Sequence, residues 1–385
     1  LKRILEIALA FPRGAHQEVF IEGILQYVRE HRRNWSYIIA PEWNSVSITQ
    51  LVGWPGDGVI AALNTPREAT CAETFPLPVV NMSSALAESP VPRTMVDNRA
   101  IGALAAEHLV DRGFRSFAYY GLKDIEYSRQ RFLGFEGRVA TAGFSTDRLI
   151  LPSTFRIRGN FWLRQQRRLK AWISKLPTPC GLFAVSDARA RQSLNACQEL
   201  QIAVPQQIAV VGVDDQQIIC EHSHPTISSV ARNNIREGYA AAALLDKLIA
   251  KKTVPAGDQL IPPLAVIARE STASLVVGDD RLREALVYFQ SHIEDPVTVA
   301  ELCRYIGVSR RWLEYAFRGM VGESPYNYMR RQKLDYARRL LTDEPDAKIY
   351  RIAQRIGFSS AKQLAKAFRR EFGTTPREYR KSAQG

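Results

Sequence analysis

Leu302-Cys303-Arg304-Tyr305-Ile306-Gly307-Val308-Ser309 returns about fifty residues later as Ile352-Ala353-Gln354-Arg355-Ile356-Gly357-Phe358-Ser359. The match runs on: Leu313, Phe317, Gly322, Ser324-Pro325 and Tyr328 answer to Leu364, Phe368, Gly373, Thr375-Pro376 and Tyr379. The offset grows by one after Ser359, so an extra residue sits at the start of the helix that follows. Each landmark has a physical reading. Cys303 and Ala353 are small enough to let one helix pass close to the next, and Gly307 and Gly357 supply a tight turn. Ser309 can cap the second helix of the first unit, as Ser359 or Ser360 can in the second. Leu313 with Phe317, and Leu364 with Phe368, keep one helix face on a core. Thr298 and Glu301 form a capping box, while Ser324-Pro325 and Thr375-Pro376 pair a cap with proline at the first helical position. The spacing predicts two helix-turn-helix units joined by one helix over residues 325–341. An ordinary helical bundle with a packing repeat is the bland alternative, and two in-register matches argue against it.

This repeat resembles the DNA-binding domain of the AraC family of transcription regulators over roughly the last hundred residues. The resemblance implies recognition helices that enter successive major grooves about 34 Å apart. Residues facing away from the core are then the base-reading candidates: Arg310, Arg311, Glu314 and Tyr315 in the first helix, Lys362, Gln363 and Lys366 in the second. Arginine can bond guanine bidentately, glutamine suits adenine, and Glu314 can accept from a cytosine amino group. For any one of them a solvated face is the competing reading. Residues 276–347 are nearly neutral, whereas 348–385 carry roughly +8. The second unit is therefore expected to supply most of the phosphate attraction, through Lys362, Lys366, Arg369, Arg370, Arg377, Arg380 and Lys381.

Working outward, the whole chain of 385 residues carries a formal net charge of +13, which favours an anionic partner, nucleic acid before membrane. No apolar run approaches the ~18–20 residues that a membrane-spanning helix needs. At the start, Glu6 interrupts Ile4–Leu9, so a buried strand is expected there rather than a signal peptide. Cys71, Cys180, Cys197, Cys220 and Cys303 are scattered and odd in number, which fits a reducing cytoplasm and neither a disulfide framework nor a zinc site. His222 and His224 near Cys220 lack further ligands at useful spacing, so no metal and no cofactor is expected.

Up to about residue 275 the chain alternates short apolar strands with amphipathic helices. Strands are expected near Ile4–Leu9, Tyr37–Ala40, Gly58–Ala62, Pro78–Asn81, Ser116–Tyr120, Gly181–Val185 and Ile208–Val213. Helices are expected over 18–30, 99–112, 131–141, 161–175, 188–200 and 235–251. Such alternation argues for doubly wound, mostly parallel sheets. A linker is expected at 273–280 and the helical domain at 281–385, with Asp279 or Asp280 capping its first helix.

Several segments of this α/β region resemble the periplasmic-binding-protein-like core of the LacI/GalR regulators. They are Val96-Asp97-Asn98-Arg99-Ala100-Ile101-Gly102, Arg129-Gln130-Arg131-Phe132-Leu133-Gly134-Phe135, Ala184-Val185-Ser186-Asp187, Val211-Gly212-Val213-Asp214-Asp215 and Arg269-Glu270-Ser271-Thr272. Their order along the chain carries the likeness. It implies a two-lobed sensor over 1–272 with a ligand in the cleft between lobes. Lobe one would be about 1–113 with 230–255, lobe two about 114–229 with 256–272. Asp214 ends a buried strand, where open α/β sheets place their ligands, and a carboxylate there can accept two sugar hydroxyls. Arg131 is expected to begin a helix and to present a guanidinium fork to adjacent hydroxyls. Asp187 is either a ligand residue or a helix N-cap, and Ser186 stands where this class often has asparagine. Arg232 either meets the ligand or binds Glu237, and Arg13 is a candidate wall residue.

Together the two resemblances imply a sugar-responsive, DNA-binding regulator of sugar metabolism genes, with a pentose such as xylose the first expectation. Promoter DNA, a small-molecule effector and a second copy of the chain are the expected partners, RNA polymerase a candidate further one, and a membrane none. A non-sugar metabolite, or no ligand at all, remains the alternative for the sensor. An enzyme fused to a DNA-binding domain is disfavoured, because no G-x-S-x-G elbow or P-loop appears and neither Cys180 nor Cys197 sits on a strand-to-helix elbow. No catalytic residue is assigned.

Overall fold

The computed structural model describes residues 3–11, 17–39, 46–152, 160–273, 280–321, 323–344 and 346–384. Arg13, Gly322, Asp279 and most of the expected linker lie outside them, and the side chain of Asp280 is likewise not described. The chain divides into an α/β unit, Leu1–Val110 with Phe114–Ser274, and a helical unit formed chiefly by Leu275–Gly385.

Twelve strands are described in the α/β unit: β1 (Leu5–Ala10), β2 (Trp35–Ile39), β3 (Gly58–Ala61), β4 (Val79–Asn81), β5 (Thr94–Val96), β6 (Ser116–Leu122), β7 (Thr146–Leu151), β8 (Cys180–Ala184), β9 (Ile208–Val213), β10 (Ser228–Val230), β11 (Gln259–Ile261) and β12 (Val266–Ile267). They form a parallel sheet ordered β2-β1-β3-β4, a larger sheet ordered β12-β10-β9-β8-β6-β7, and a parallel pair β5-β11. The larger sheet is parallel except for β12, which runs against β10. Ile208–Val213 is buried along its whole length, as a central strand covered on both faces requires.

Two stretches belong to the other lobe from the one expected. The helix Asn98–Val110, placed with lobe one, packs on strands β8, β9, β10 and β12 and crosses the helix Glu126–Thr141. That crossing is close because Gly102 and Gly134 lack side chains: a Cβ on Gly102 would strike the carbonyl of Arg131, and one on Gly134 the carbonyl of Arg99. Conversely β11, placed with lobe two, pairs with β5, whose neighbour Arg93 bridges Asn81 at the end of β4. Apolar periodicity reports that a helix face is buried, not which sheet buries it. The helix bearing Arg131 also starts earlier than expected, at Glu126, so Arg131 lies in its second turn.

The helical unit follows the repeat. Val299–Tyr305 and Arg310–Met320 form the first pair, Ile349–Arg355 and Ala361–Phe372 the second, and Pro325–Asp343 joins them. Gly307 and Gly357 turn the chain at φ 67° and 80°, a region that favours glycine. Ser309 caps its helix by accepting from the Trp312 amide at 3.2 Å, and Ser360, not Ser359, accepts from Gln363 at 3.2 Å. Thr298 and Glu301 complete their capping box. The repeat extends to ring geometry: Phe317 meets Tyr328 at 5.6 Å and 65°, and Phe368 meets Tyr379 at 5.7 Å and 64°.

Candidate ligand cleft and nucleic-acid interface

In the α/β unit the chain leaves β9 through Asp214 and Asp215, both at positive φ (104° and 50°). Non-glycine residues adopt such backbone at a cost, and strained pairs of this kind collect at ligand sites. The turn brings the Asp214 carboxylate to two guanidinium groups. Its Oδ1 lies 3.5 Å from Arg232 Nη1 and 3.8 Å from Arg131 Nη2, ion-pair distances longer than a hydrogen bond. Arg131 is itself buried and held from behind. Its Nε donates to Asn98 Oδ1 at 2.9 Å, its Nη1 to the Val185 carbonyl at 2.5 Å, and its guanidinium lies 5.0 Å from the Tyr127 ring centre. Burial pulls its affinity for the proton down, and Asp214 works against that.

Arg232 binds Glu237, one of the two roles expected of it, and also faces Asp214. Its Nη2 and Nε donate to Glu237 at 2.7 and 3.2 Å while its Nη1 faces Asp214. Burial would lower its proton affinity, but the carboxylates of Glu237 and Asp214 more than offset this and hold it raised. Two guanidinium forks around one carboxylate suit a ligand with several hydroxyls, since the arginines donate and the aspartate accepts.

Asp187 has a different place. Ser186 is the cap of the helix Asp187–Glu199, accepting from Arg189 at 3.4 Å, and Asp187 is the first helical residue. It has no exposed surface. Its two oxygens accept from the Ser229 hydroxyl at 2.6 Å and the Gln216 amide at 2.8 Å, which ties the helix to the turn after β9. Burial, and then Asp214, push its carboxyl up to about 7. Asn98, Tyr127 and Glu237 complete the surroundings of the arginines. Asn98 was visible within its quoted segment and Glu237 as a partner for Arg232, whereas Tyr127 carried no signal of its own. Arg189 is a further buried cation. It donates to the Tyr120 hydroxyl and to the Pro152 carbonyl at 2.7 Å, and lies 4.8 Å from the Tyr120 ring centre. No group of three or more potential metal ligands occurs among the described residues, His222, His224 and Cys220 included.

In the helical unit, Arg310, Arg311, Tyr315, Lys362, Gln363 and Lys366 are exposed, and Glu314 is partly so. Tyr315 is 81% exposed, far beyond what a tyrosine at a packed surface shows. Arg311, Tyr315 and Arg318 stand one turn apart along the first helix, and their repeat equivalents Lys362, Lys366 and Arg369 along the second. Arg318 joins this face without having been singled out in the sequence, although its repeat mate Arg369 had been noted for charge. Arg310 and Glu314 pair at 3.2 Å; Ala361 and Ala365 occupy their places in the second helix. The second face thus lacks the carboxylate of the first.

Residues 106–272 match the model of a periplasmic binding protein-like domain, and residues 302–382 that of a helix-turn-helix domain. The chain is 32% identical over 373 residues to the xylose operon regulatory protein of Escherichia coli K12, covering 95% of this chain and 94% of that one. It is 29% identical to the protein of the same name from Haemophilus influenzae, covering 97% and 98%. Among solved structures, that of the xylose-binding transcription activator xylR superposes with a TM-score of 0.63 at 30% identity, covering 99% of both chains.

Proposed function

The chain belongs to the family of the xylose operon regulatory proteins, and is thus a ligand-responsive, DNA-binding regulator of sugar metabolism; from that premise we propose that its effector is a pentose, xylose first, held around Asp214, Arg131 and Arg232. The observation that carries this is the convergence of two guanidinium groups, one buried and one part-buried, on one carboxylate just after β9. The sugar bridges the lobes, because Arg232 and Glu237 lead into the helix Asn234–Ile249 on the first sheet while Asp214 and Arg131 stand on the second. Ligand preference for the closed arrangement then changes how two copies of the chain present their recognition helices. DNA is read by the Arg311, Tyr315, Arg318 face and by the Lys362, Gln363, Lys366, Arg369 face, with Arg310 and Glu314 contributing to the first. Homodimerisation, a location in the cytoplasm and an encounter with RNA polymerase belong to the same reading.

No catalysis is assigned. Burial pushes the Cys180 and Cys197 thiols up to about 12, which leaves them protonated and poor nucleophiles. One observation favours a second reading of the effector. Arg131 and Arg232 both face Asp214, Arg131 lies 5.0 Å from the Tyr127 ring centre, and Arg189 is a further buried guanidinium in the same unit. A site this rich in guanidinium would also suit a sugar phosphate or sugar acid.

The test is a thermal-shift series of the purified protein with D-xylose, other pentoses, hexoses and sugar phosphates. A ligand at a hundred times its dissociation constant stabilises the native state by about 2.7 kcal/mol. Xylose is expected to raise the melting temperature of the wild type and not of Asp214→Asn. A response to sugar phosphates alone would select the second reading, and no response to any of them would remove the sugar assignment.

A further inference from the structure

The two helix-turn-helix units bury their apolar residues in separate clusters. Leu282, Phe289, Leu302 and Phe317 belong to the first, Leu340, Ile352, Leu364 and Phe368 to the second. Both clusters include residues of the connecting helix Pro325–Asp343, Tyr328 and Met329 in the first and Leu334, Ala337, Leu340 and Leu341 in the second, so that helix sets the angle between the units coarsely. Beside that helix runs a polar seam that also reaches across. Arg355, the last residue of the helix Ile349–Arg355, donates from Nε to Glu294 Oε1 at 2.9 Å, and its Nη2 forms an ion pair with the same oxygen at 2.8 Å. Its Nη1 donates to Glu344 Oε1 at 2.7 Å, just past the connecting helix. Tyr336, on that helix, donates to the same Glu294 oxygen. One turn earlier, Lys333 is mostly buried and donates to the Asp295 carbonyl at 2.9 Å. Its Nζ would lie 3.0 Å from a Cβ on Gly357, so the lysine also touches the turn of the second unit.

The repeat itself marks these residues. Glu294 and Glu344 are equivalent positions, one before each unit, and both converge on Arg355. The first unit has Tyr305 where the second has Arg355, so only the second can close the seam.

We propose that Arg355 and Lys333 are positioning residues which, through Glu294, Glu344 and the Asp295 carbonyl, set the separation and angle of the two recognition helices. They thereby fix the base-pair spacing between the two half-sites on DNA. This rests on the reading of the helical unit as a two-groove DNA reader, whose helices must enter grooves about 34 Å apart. Over that span a small rotation at the seam moves a recognition helix by a sizeable fraction of a base-pair step. Ion pairs as exposed as those of Arg355 add little stability, so the seam acts on orientation more than on folding. Glu294 is held below the usual carboxylate range by Arg355 and Tyr336, which keeps it charged at neutral pH.

The experiment selects bound sequences from a pool of random duplexes with the full-length protein. It then measures fluorescence anisotropy on the selected duplex and on the same duplex with one base pair inserted between its half-sites. The wild type is expected to lose about tenfold in affinity on insertion, since only one unit can then engage well. Arg355→Gln is expected to bind the original duplex about tenfold more weakly and to tell the two duplexes apart by less than about threefold. Lys333→Met, which keeps the buried stem, should shift the same way. An Arg355→Gln variant as sensitive to the insertion as the wild type would overturn the proposal. If Arg355→Gln fails to melt cooperatively, Glu294→Gln removes the same pair and carries the same two outcomes. Failure of the wild type to enrich any sequence would overturn the DNA-binding reading, and the proposal with it.

Discussion

The Asp187 carboxyl group illustrates what a single residue contributes to the cleft region. It has no exposed surface and accepts two hydrogen bonds, yet burial outweighs them and raises its pKa to about 7. The folded chain therefore holds this proton more tightly than the unfolded one, where a carboxyl titrates near its ordinary value of about 4. Linkage fixes the sign: this group's contribution is most favourable below about 4 and falls by up to about 1.4 kcal/mol per pH unit until pH passes about 7. Asp187→Asn is expected to flatten that part of the pH dependence, measured as urea unfolding at pH 5 and pH 8. A variant with the same pH dependence as the wild type would assign the slope elsewhere. The sequence offered Asp187 as ligand or cap; the cap is Ser186, and both Asp187 oxygens accept from protein donors. That outcome needed Ser229 and Gln216, which are distant in sequence, to be adjacent in space. Asp214 and Arg131 could be singled out in the sequence because a strand end and a segment resembling the LacI/GalR core mark them without knowledge of their neighbours.

At the scale of elements, Gly307 and Gly357 look alike in sequence and share a left-handed backbone, yet they differ in surroundings. Nothing stands within 4 Å of a Cβ on Gly307, whereas Lys333 Nζ would lie 3.0 Å from one on Gly357. Gly307→Ala should therefore cost about 1–2 kcal/mol, the left-handed penalty alone. Gly357→Ala should cost more, because Lys333 must also give way. Urea denaturation of both variants checks the order, and equal losses would show that the lysine yields freely. The helices of the repeat and their caps were legible because capping and apolar spacing act within a few residues, whereas the helix Pro66–Glu73, with its Thr65–Glu68 capping box, was not picked out. The strands β5, β7, β10, β11 and β12 were not legible either. All but β7 are two or three residues long, too short for a period, and exist because a partner strand is already in place. β7 is six residues long but lies at the sheet edge, with no clean alternation of buried and exposed positions to mark it.

For the whole molecule, the excess of positive charge is unevenly placed. Roughly +8 of it lies in residues 348–385, on and around the second recognition helix. Each phosphate contact removed should lower the salt dependence of DNA affinity by about 0.9 in the logarithmic slope. Neutralising Lys366 or Arg369 is expected to lower it by about that amount, whereas Tyr315→Ala should leave it nearly unchanged while weakening discrimination between sequences. Binding measured from low to moderate salt tests this, and larger slope losses from Arg311 or Arg318 would reverse the division of labour.

The amino-acid sequence alone determined the two helix-turn-helix units, their caps and turns, the alternating α/β architecture before them, and the exposed helix faces proposed to read DNA. These follow from local periodicity, from glycine and proline stereochemistry, and from a repeat compared with itself. Only the tertiary structure decided which lobe each crossing segment joins, that Arg131 and Arg232 converge on Asp214, and that Arg355 gathers Glu294, from before the first unit, and Glu344, from the end of the connecting helix. Those are pairings between residues tens to hundreds of positions apart. Their energies depend on burial and distance, quantities that exist only once the chain has folded.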